Sequence, residues 1–166
     1  YATSKFLVDN YVRNLSNSSM VMGLRFFNVF GPGENHKEEM QSVIGKFLDH
    51  IKSSNSIQLF EGSEKIFRDF IYVEDVCKVC YHFFKNPSKG LFNVGTGVEN
   101  SFMDIYDVIN AKIKNINLEE IPFPEHLLGK YQYYTIADIS KLRDSGYSNE
   151  FLSLEEGILE YSKSYN

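Results

Sequence analysis

The chain has 166 residues, 43% of them apolar, enough for one domain with a real core or for one and a half small lobes. Its formal charge of −5 argues against a nucleic-acid partner, because such binding draws most of its free energy from clustered Lys and Arg. No stretch approaches the roughly 20 apolar residues that span a bilayer, and no basic, cleavable leader opens the chain, so a soluble cytoplasmic protein without membrane association is expected.

Tyr1-Ala2-Thr3-Ser4-Lys5 has no initiator Met and starts inside a helical pattern, so the chain reads as the C-terminal part of a longer one. Phe6, Leu7, Tyr11 and Leu15 recur at spacings of three and four, which predicts a helix over 4–15 that Asn17-Ser18-Ser19 ends. From Met20 to Phe30 the residues are almost continuously apolar, the pattern of a parallel strand covered on both faces. Gly31-Pro32-Gly33 stops that strand, and its C-terminal end becomes a candidate ligand site. Met40, Val43, Ile44, Phe47, Leu48 and Ile51 then form the clearest amphipathic helix, closed by Ser53-Ser54-Asn55.

A short strand is expected at Ile57 to Phe60, then a polar Glu61-Gly62-Ser63-Glu64 loop and a strand from Phe67 to Val73. Glu74 and Asp75 suit the first turn of the next helix, where carboxylates meet the positive end of the backbone dipole. Within that helix Cys77 and Cys80 read as small buried side chains. One pair cannot complete a zinc tetrahedron, and His36, His50, His82 and His126 lack ligand spacing, so no metal site is expected. Leu91 to Val94 is a further strand closed by Gly95-Thr96-Gly97, while Ser101-x-x-Asp104 and Ser153-x-x-Glu156 are capping patterns that open helices. Strands and helices alternate without a linker-like tract, which makes the class α/β. No G-x-G-x-x-G turn lies between a strand and a helix, so the main pyrophosphate cradle of any dinucleotide would lie upstream.

Two residues carry chemistry by spacing alone. Tyr1 and Lys5 lie one helical turn apart, and an ammonium beside a phenol favours its ionised form. Taken by itself, Y-x-x-x-K is as well explained by a solvated helix face. Its neighbours change that weight: Leu24-Arg25-Phe26-Phe27-Asn28-Val29-Phe30-Gly31-Pro32, then Arg68-Asp69-Phe70-Ile71-Tyr72-Val73-Glu74-Asp75-Val76, then Phe92-Asn93-Val94-Gly95-Thr96-Gly97. In order and spacing these segments resemble the extended short-chain dehydrogenase/reductase family, over most of the chain. Gly33-Glu34-Asn35-His36-Lys37 with Met40 and Ser42, Leu59-Phe60-Glu61-Gly62-Ser63-Glu64, and Ile121-Pro122-Phe123-Pro124 leading to Gly129-Lys130-Tyr131-Gln132 look like the heptose 6-epimerase branch.

The resemblance implies that residues 1–33 supply the catalytic helix and a core strand of a Rossmann-type NAD(P)-binding lobe. Residues 34–166 would mainly build a sugar-nucleotide lobe, with about 68–84 packing back on the first. It implies epimerisation at C6 of an ADP-linked heptose used for lipopolysaccharide, with NADP (or NAD) as cofactor and a homo-oligomeric enzyme. Tyr1, tuned by Lys5, and Lys37 would be the two proton-transfer groups, and Lys5, Val29 and Lys37 would touch cofactor. Asn28, Phe60, Glu61, Gly62, Ser63, Arg68 and Tyr131 are carried over as substrate contacts. Glu38 and Glu39 replace expected small polar residues, and Lys46 stands where the family usually has His; Glu39 and Lys46 are kept as candidate substrate contacts in altered form. For Arg68 the physical case is its planar fork, which matches phosphate oxygens; the alternative is an ion pair with Asp69 or Glu64. Two other readings stay open: another extended member, such as a hexose 4-epimerase or a 4,6-dehydratase, and a non-catalytic sugar-nucleotide-binding module.

Overall fold

The computed structural model describes residues 2–16 and 20–164. Tyr1, the expected phenolic base, lies outside the described residues, as does the 17–19 connection.

The class is α/β, as expected from the alternation of elements. Helix α1 (Ala2–Ser16) leads to β1 (Met22–Phe26), which pairs in parallel with β6 (Gly90–Val94). The single strand expected from Met20 to Phe30 is divided. Met20 is exposed, the chain turns at Phe27, and β2 (Asn28–Phe30) pairs with a different strand, β5 (Phe70–Tyr72). The Phe27 N–H donates to Val94 O and the Asn28 N–H to Asp69 O, so successive amides serve two neighbours and the ladder splits there. Nor are both faces of β1 covered: its residues are half-buried and Phe26 is exposed. The strand expected at 67–73 divides similarly, into β4 (Phe67–Arg68) and β5, with Asp69 at the break.

Helix α2 (Val43–His50) is shorter than its apolar pattern suggested. Ser42 caps it by accepting from the Gly45 N–H, and Met40 lies exposed in a preceding 3-10 segment (Asn35–Met40). Helix α3 (Val73–Lys85) opens with Glu74 and Asp75 as expected, but Cys77 and Cys80 are exposed. The helix turns Val76, Val79 and Phe83 inward, and the cysteines fall outside that stripe. Strand β3 (Ser56–Phe60) pairs in parallel with β8 (Asn117–Ile121), and β4 lies between the short strands β7 (Asn100–Ser101) and β9 (Tyr134–Thr135). Both expected capping boxes are present, at Ser101 for α4 (Phe102–Lys112) and at Ser153 for α6 (Leu154–Lys163). The short helix α5 (Ser140–Asp144) completes the set.

Burial divides into two apolar clusters. One joins Phe30, Ile44, Leu48, Ile57, Leu59, Ile105, Ile109 and Ile158 across α2, α4, α6 and the β3–β8 pair. The other joins Ile71, Val79, Phe83, Phe92, Val94 and Leu142, against which Met22, Leu24 and Val29 pack. Each fully buried aliphatic side chain contributes about 1.5–3 kcal/mol, so either cluster can hold its strands. No described helix is long and apolar enough to cross a membrane.

Candidate functional site

The parallel strands β3 and β8 end together at Phe60 and Ile121, and beyond their carboxyl ends the chain opens into a cavity of about 210 Å³. In open α/β structures this is where ligands sit, because loops leaving the strand ends diverge there. Val43 and Phe47 of α2, Leu59, Ile66, Phe102 and Ile121 make its wall apolar, and Phe60, Ser63 and Tyr131 face it as well. Phe123 braces the mouth, its ring centroid 5.5 Å from that of Phe60 and 5.4 Å from that of Tyr131.

Ser63 is the polar exception among the buried wall residues. It is 2% exposed, yet its Oγ has no hydrogen-bond partner. A buried hydroxyl left unpaired costs about 1–3 kcal/mol, so the wall as folded is incomplete in hydrogen-bonding terms. Gly62 places it there with a left-handed turn at φ +81°, a conformation open to glycine at low cost.

Arg68 borders the same cavity. Its guanidinium carbon is 5.8 Å from the Phe102 ring centroid and 5.4 Å from that of Tyr131. Nη1 donates to Phe67 O at 2.8 Å and Nη2 to Gln132 O, so the group is held by carbonyls. The ion-pair alternative fails for both partners: Glu64 pairs with Lys65, and the Asp69 carboxylate points elsewhere. Asp69 is fully buried and accepts from Thr96 N at 2.7 Å, Thr96 Oγ1 at 2.8 Å, Gly97 N at 2.8 Å and Ala137 N at 3.1 Å. Its backbone oxygen takes the Asn28 N–H and the Asn28 Nδ2 amide at 3.0 Å. Gly95 is required beside it, since a Cβ there would meet Asp69 Oδ2 at 2.5 Å. Asn28 is thus tied to one buried carboxylate residue, a role that the sequence motif contained without disclosing.

Lys37 stands on a different support. It lies on the loop from β2 to α2, with its side chain 44% exposed and its Nζ 3.6 Å from Glu34 Oε2. Glu34 is itself buried and receives the Gly31 N–H at 3.1 Å, the Ser42 N–H at 2.8 Å and the Ser42 hydroxyl at 2.8 Å. One carboxylate therefore closes the 31–42 loop and anchors the lysine. Next to Lys37, Glu38 has φ +47° and ψ −117°, strained for a residue with a side chain and tolerated only where neighbours over-determine the backbone. Lys46, exposed on α2, donates its ammonium to Glu39 O, so those two altered positions contact each other.

Phe60, Ser63 and Tyr131 line one cavity, and Arg68 stacks on the Phe102 and Tyr131 rings of its wall without lining it. Glu61 and Gly62 flank it without lining it, and Lys37, Glu39 and Lys46 occupy the adjoining loop and helix face. Val29 is half-buried in β2 against the second apolar cluster. Lys5 is on the exposed side of α1. Phe47, Phe102 and Phe123 escaped sequence reading, since an aromatic that lines a cavity has the same pattern as one that fills a core.

The pattern of the NAD dependent epimerase/dehydratase family matches residues 1–95. The chain belongs to that family. It is 44% identical to the ADP-L-glycero-D-manno-heptose-6-epimerase of Brachyspira hyodysenteriae, over 98% of this chain and 53% of that protein. The ADP-L-glycero-D-manno-heptose-6-epimerase of Helicobacter pylori superposes with a TM-score of 0.85 at 30% identity, covering 99% of this chain and 50% of that one. A UDP-N-acetylglucosamine 4-epimerase from Methanobrevibacter ruminantium, solved with UDP-N-acetylmuramic acid, follows at a TM-score of 0.82 and 25% identity, covering 99% of this chain and 53% of that one. The chain spans about half the length of the relatives it matches.

Proposed function

We propose that these residues serve a nucleotide-sugar epimerase that inverts C6 of an ADP-linked heptose, with NADP (or NAD) as its dinucleotide. The observation that carries the reading is the apolar cavity with an unpartnered Ser63 hydroxyl buried in its wall and the Arg68 fork stacked on the lining ring of Tyr131. An aromatic heterocycle suits the wall of Phe47, Phe60 and Tyr131, the hydroxyl suits a polar edge of that ring, and the guanidinium suits a diphosphate. Likeness to two heptose 6-epimerases supports the choice of sugar.

The residues present fit one end of the dinucleotide. Lys5 is accessible on α1 and Val29 offers an apolar wall on β2, while no glycine-rich phosphate turn occurs in the sequence. Bound at that end, the nicotinamide cofactor supplies a reversible hydride acceptor. Tyr1 takes the proton from the sugar hydroxyl in one epimer, with the Lys5 ammonium favouring the phenolate. Lys37 does so in the other, because the planar ketone must present its opposite face before reduction. Glu34 keeps the Lys37 amine at the loop surface for that step.

The test is substrate turnover by the intact protein containing these residues. Tyr1→Phe and Lys37→Met are each expected to remove most interconversion of the two ADP-heptose epimers. Wild-type rates in both would refute the assignment. Turnover of a UDP-hexose with the heptose untouched would favour a 4-epimerase instead. The 166 residues alone are expected to bind ADP without turnover, the behaviour of a binding module, and full activity from them would overturn the account of the cofactor.

A further inference from the structure

We propose that the groove between α1 and the β1–β6 pair is a binding site for an oligophosphate anion, independent of the Arg68 cavity. Its volume is about 630 Å³, and it is lined by Arg13, Arg25, Lys89, Asn93, Asp138 and Lys141, with Gly90 and Leu91 beneath them. None of these residues lines the cavity at Ser63. The groove runs along the β1–β6 pair, from the Met22–Gly90 end to the register partners Arg25 and Asn93.

Charge is the first reason. Acidic residues outnumber basic ones in the chain by 22 to 17, yet the groove gathers four cations and a single carboxylate. The carboxylates nearby are already engaged. Asp9 accepts from Arg25 Nε at 3.0 Å and Nη2 at 2.6 Å, and that bonding, with the charges of Arg25 and Arg13, holds its carboxyl below the usual range. Asp138 turns its Oδ1 to Ser140 N at 3.0 Å and to Ser140 Oγ at 2.6 Å. Even with both ionised, the wall keeps an excess of positive charge.

The second reason is how the surplus is held. Lys89 and Lys141 form no ion pair among the described residues. The Lys141 ammonium lies 4.7 Å from the Phe92 ring centroid and 2.9 Å from where a Cβ on Gly90 would stand. A side chain at position 90 would push the amine away, so glycine keeps the floor open and the charge over it. The cations come from separate segments, α1, β1, the approach to β6 and the start of α5. They therefore surround a charge spread over several oxygens better than they would a single carboxylate. Among the described residues Leu91 is the one large apolar liner, which gives a docked acidic peptide little buried anchorage.

Inorganic pyrophosphate in magnesium-free buffer is the probe, titrated into the chain and followed by backbone amide NMR shifts. Shifts are expected at Gly90, Leu91 and Asn93. The double substitution Lys89→Glu with Lys141→Glu is expected to weaken binding at least tenfold. The charge-matched control, Lys65→Glu with Lys163→Glu on exposed lysines elsewhere, should change it less than twofold. Equal losses in both pairs would mean diffuse attraction by net charge and would overturn the site. So would shifts centred on Ser63 and Arg68, which would place the anion in the other cavity. A hexaglutamate peptide that binds the same amides more tightly than pyrophosphate would overturn the ligand class. If circular dichroism shows the glutamate pair unfolded, Lys89→Gln with Lys141→Gln is read in its place, with a threefold or greater loss expected.

Discussion

Asp69 and Ser63 are both buried polar residues within a few positions of each other, and the chain treats them in opposite ways. Four donors from two segments satisfy the Asp69 carboxylate, which ties the start of β5 to the loop after β6 and to Ala137. The Ser63 hydroxyl is buried in the cavity wall without a hydrogen-bond partner among the described residues. A satisfied buried polar group fixes architecture, and an unsatisfied one, such as Ser63, His82, Thr135 and Tyr147 each carry, is a local cost that a partner would relieve. Arg68 stands between them, adjacent in sequence to the first and bordering the cavity of the second.

The contrast breaks most decisively at Asp69. Asp69→Ala leaves the buried Ala137 N–H and the partly buried donors of Thr96 and Gly97 without their acceptor and is expected to cost about 3 kcal/mol or more, read as a lower denaturant midpoint. A loss under roughly 1 kcal/mol would mean that those donors find water and that the residue is no keystone. Arg68→Ala should leave the midpoint nearly unchanged while weakening ADP binding roughly tenfold by calorimetry, the worth of a charge-assisted phosphate contact. Equal ADP affinity in the variant would remove Arg68 from the site.

Ser63→Ala sharpens the comparison because its two effects have opposite signs. Deleting an unpaired hydroxyl should leave the free chain unchanged or more stable by up to about 1 kcal/mol, while ADP binding weakens several-fold. Destabilisation would show that the hydroxyl already has a partner in solution. The smallest effect is expected at Glu38→Gly. Relief of the positive φ should exceed the added chain entropy and raise stability by about 0.5 kcal/mol, measured as a small increase in Tm. A fall in Tm would mean that the Glu38 side chain, and not loop closure by Glu34, holds that backbone.

Much of this chain was legible in its sequence because the relevant physics is local. Ser101-Asp104 and Ser153-Glu156 are capping boxes within a single turn, so both were legible from residues three apart. The exposure of Cys77 and Cys80 on α3 was misread, since small thiols fit either side of a stripe. The motifs from Leu24 to Pro32, Arg68 to Val76 and Phe92 to Gly97 pointed to the family that the chain belongs to.

What remained hidden depends on segments far apart in the chain. The break of one apolar run into β1 and β2 arises because Val94 and Asp69 compete for successive amides, and neither partner can be inferred from residues 20–30. The pairing of β3 with β8 brings Phe60 to Ile121, and with them the cavity, from positions that share no local signal. The 166 letters determined which stretches would be helix or strand and which side chains carry charge, because propensity and periodicity act within a few residues. Which buried polar groups would be satisfied, and where four cations would meet, was decided only by tertiary packing, since both depend on neighbours that the fold alone assembles.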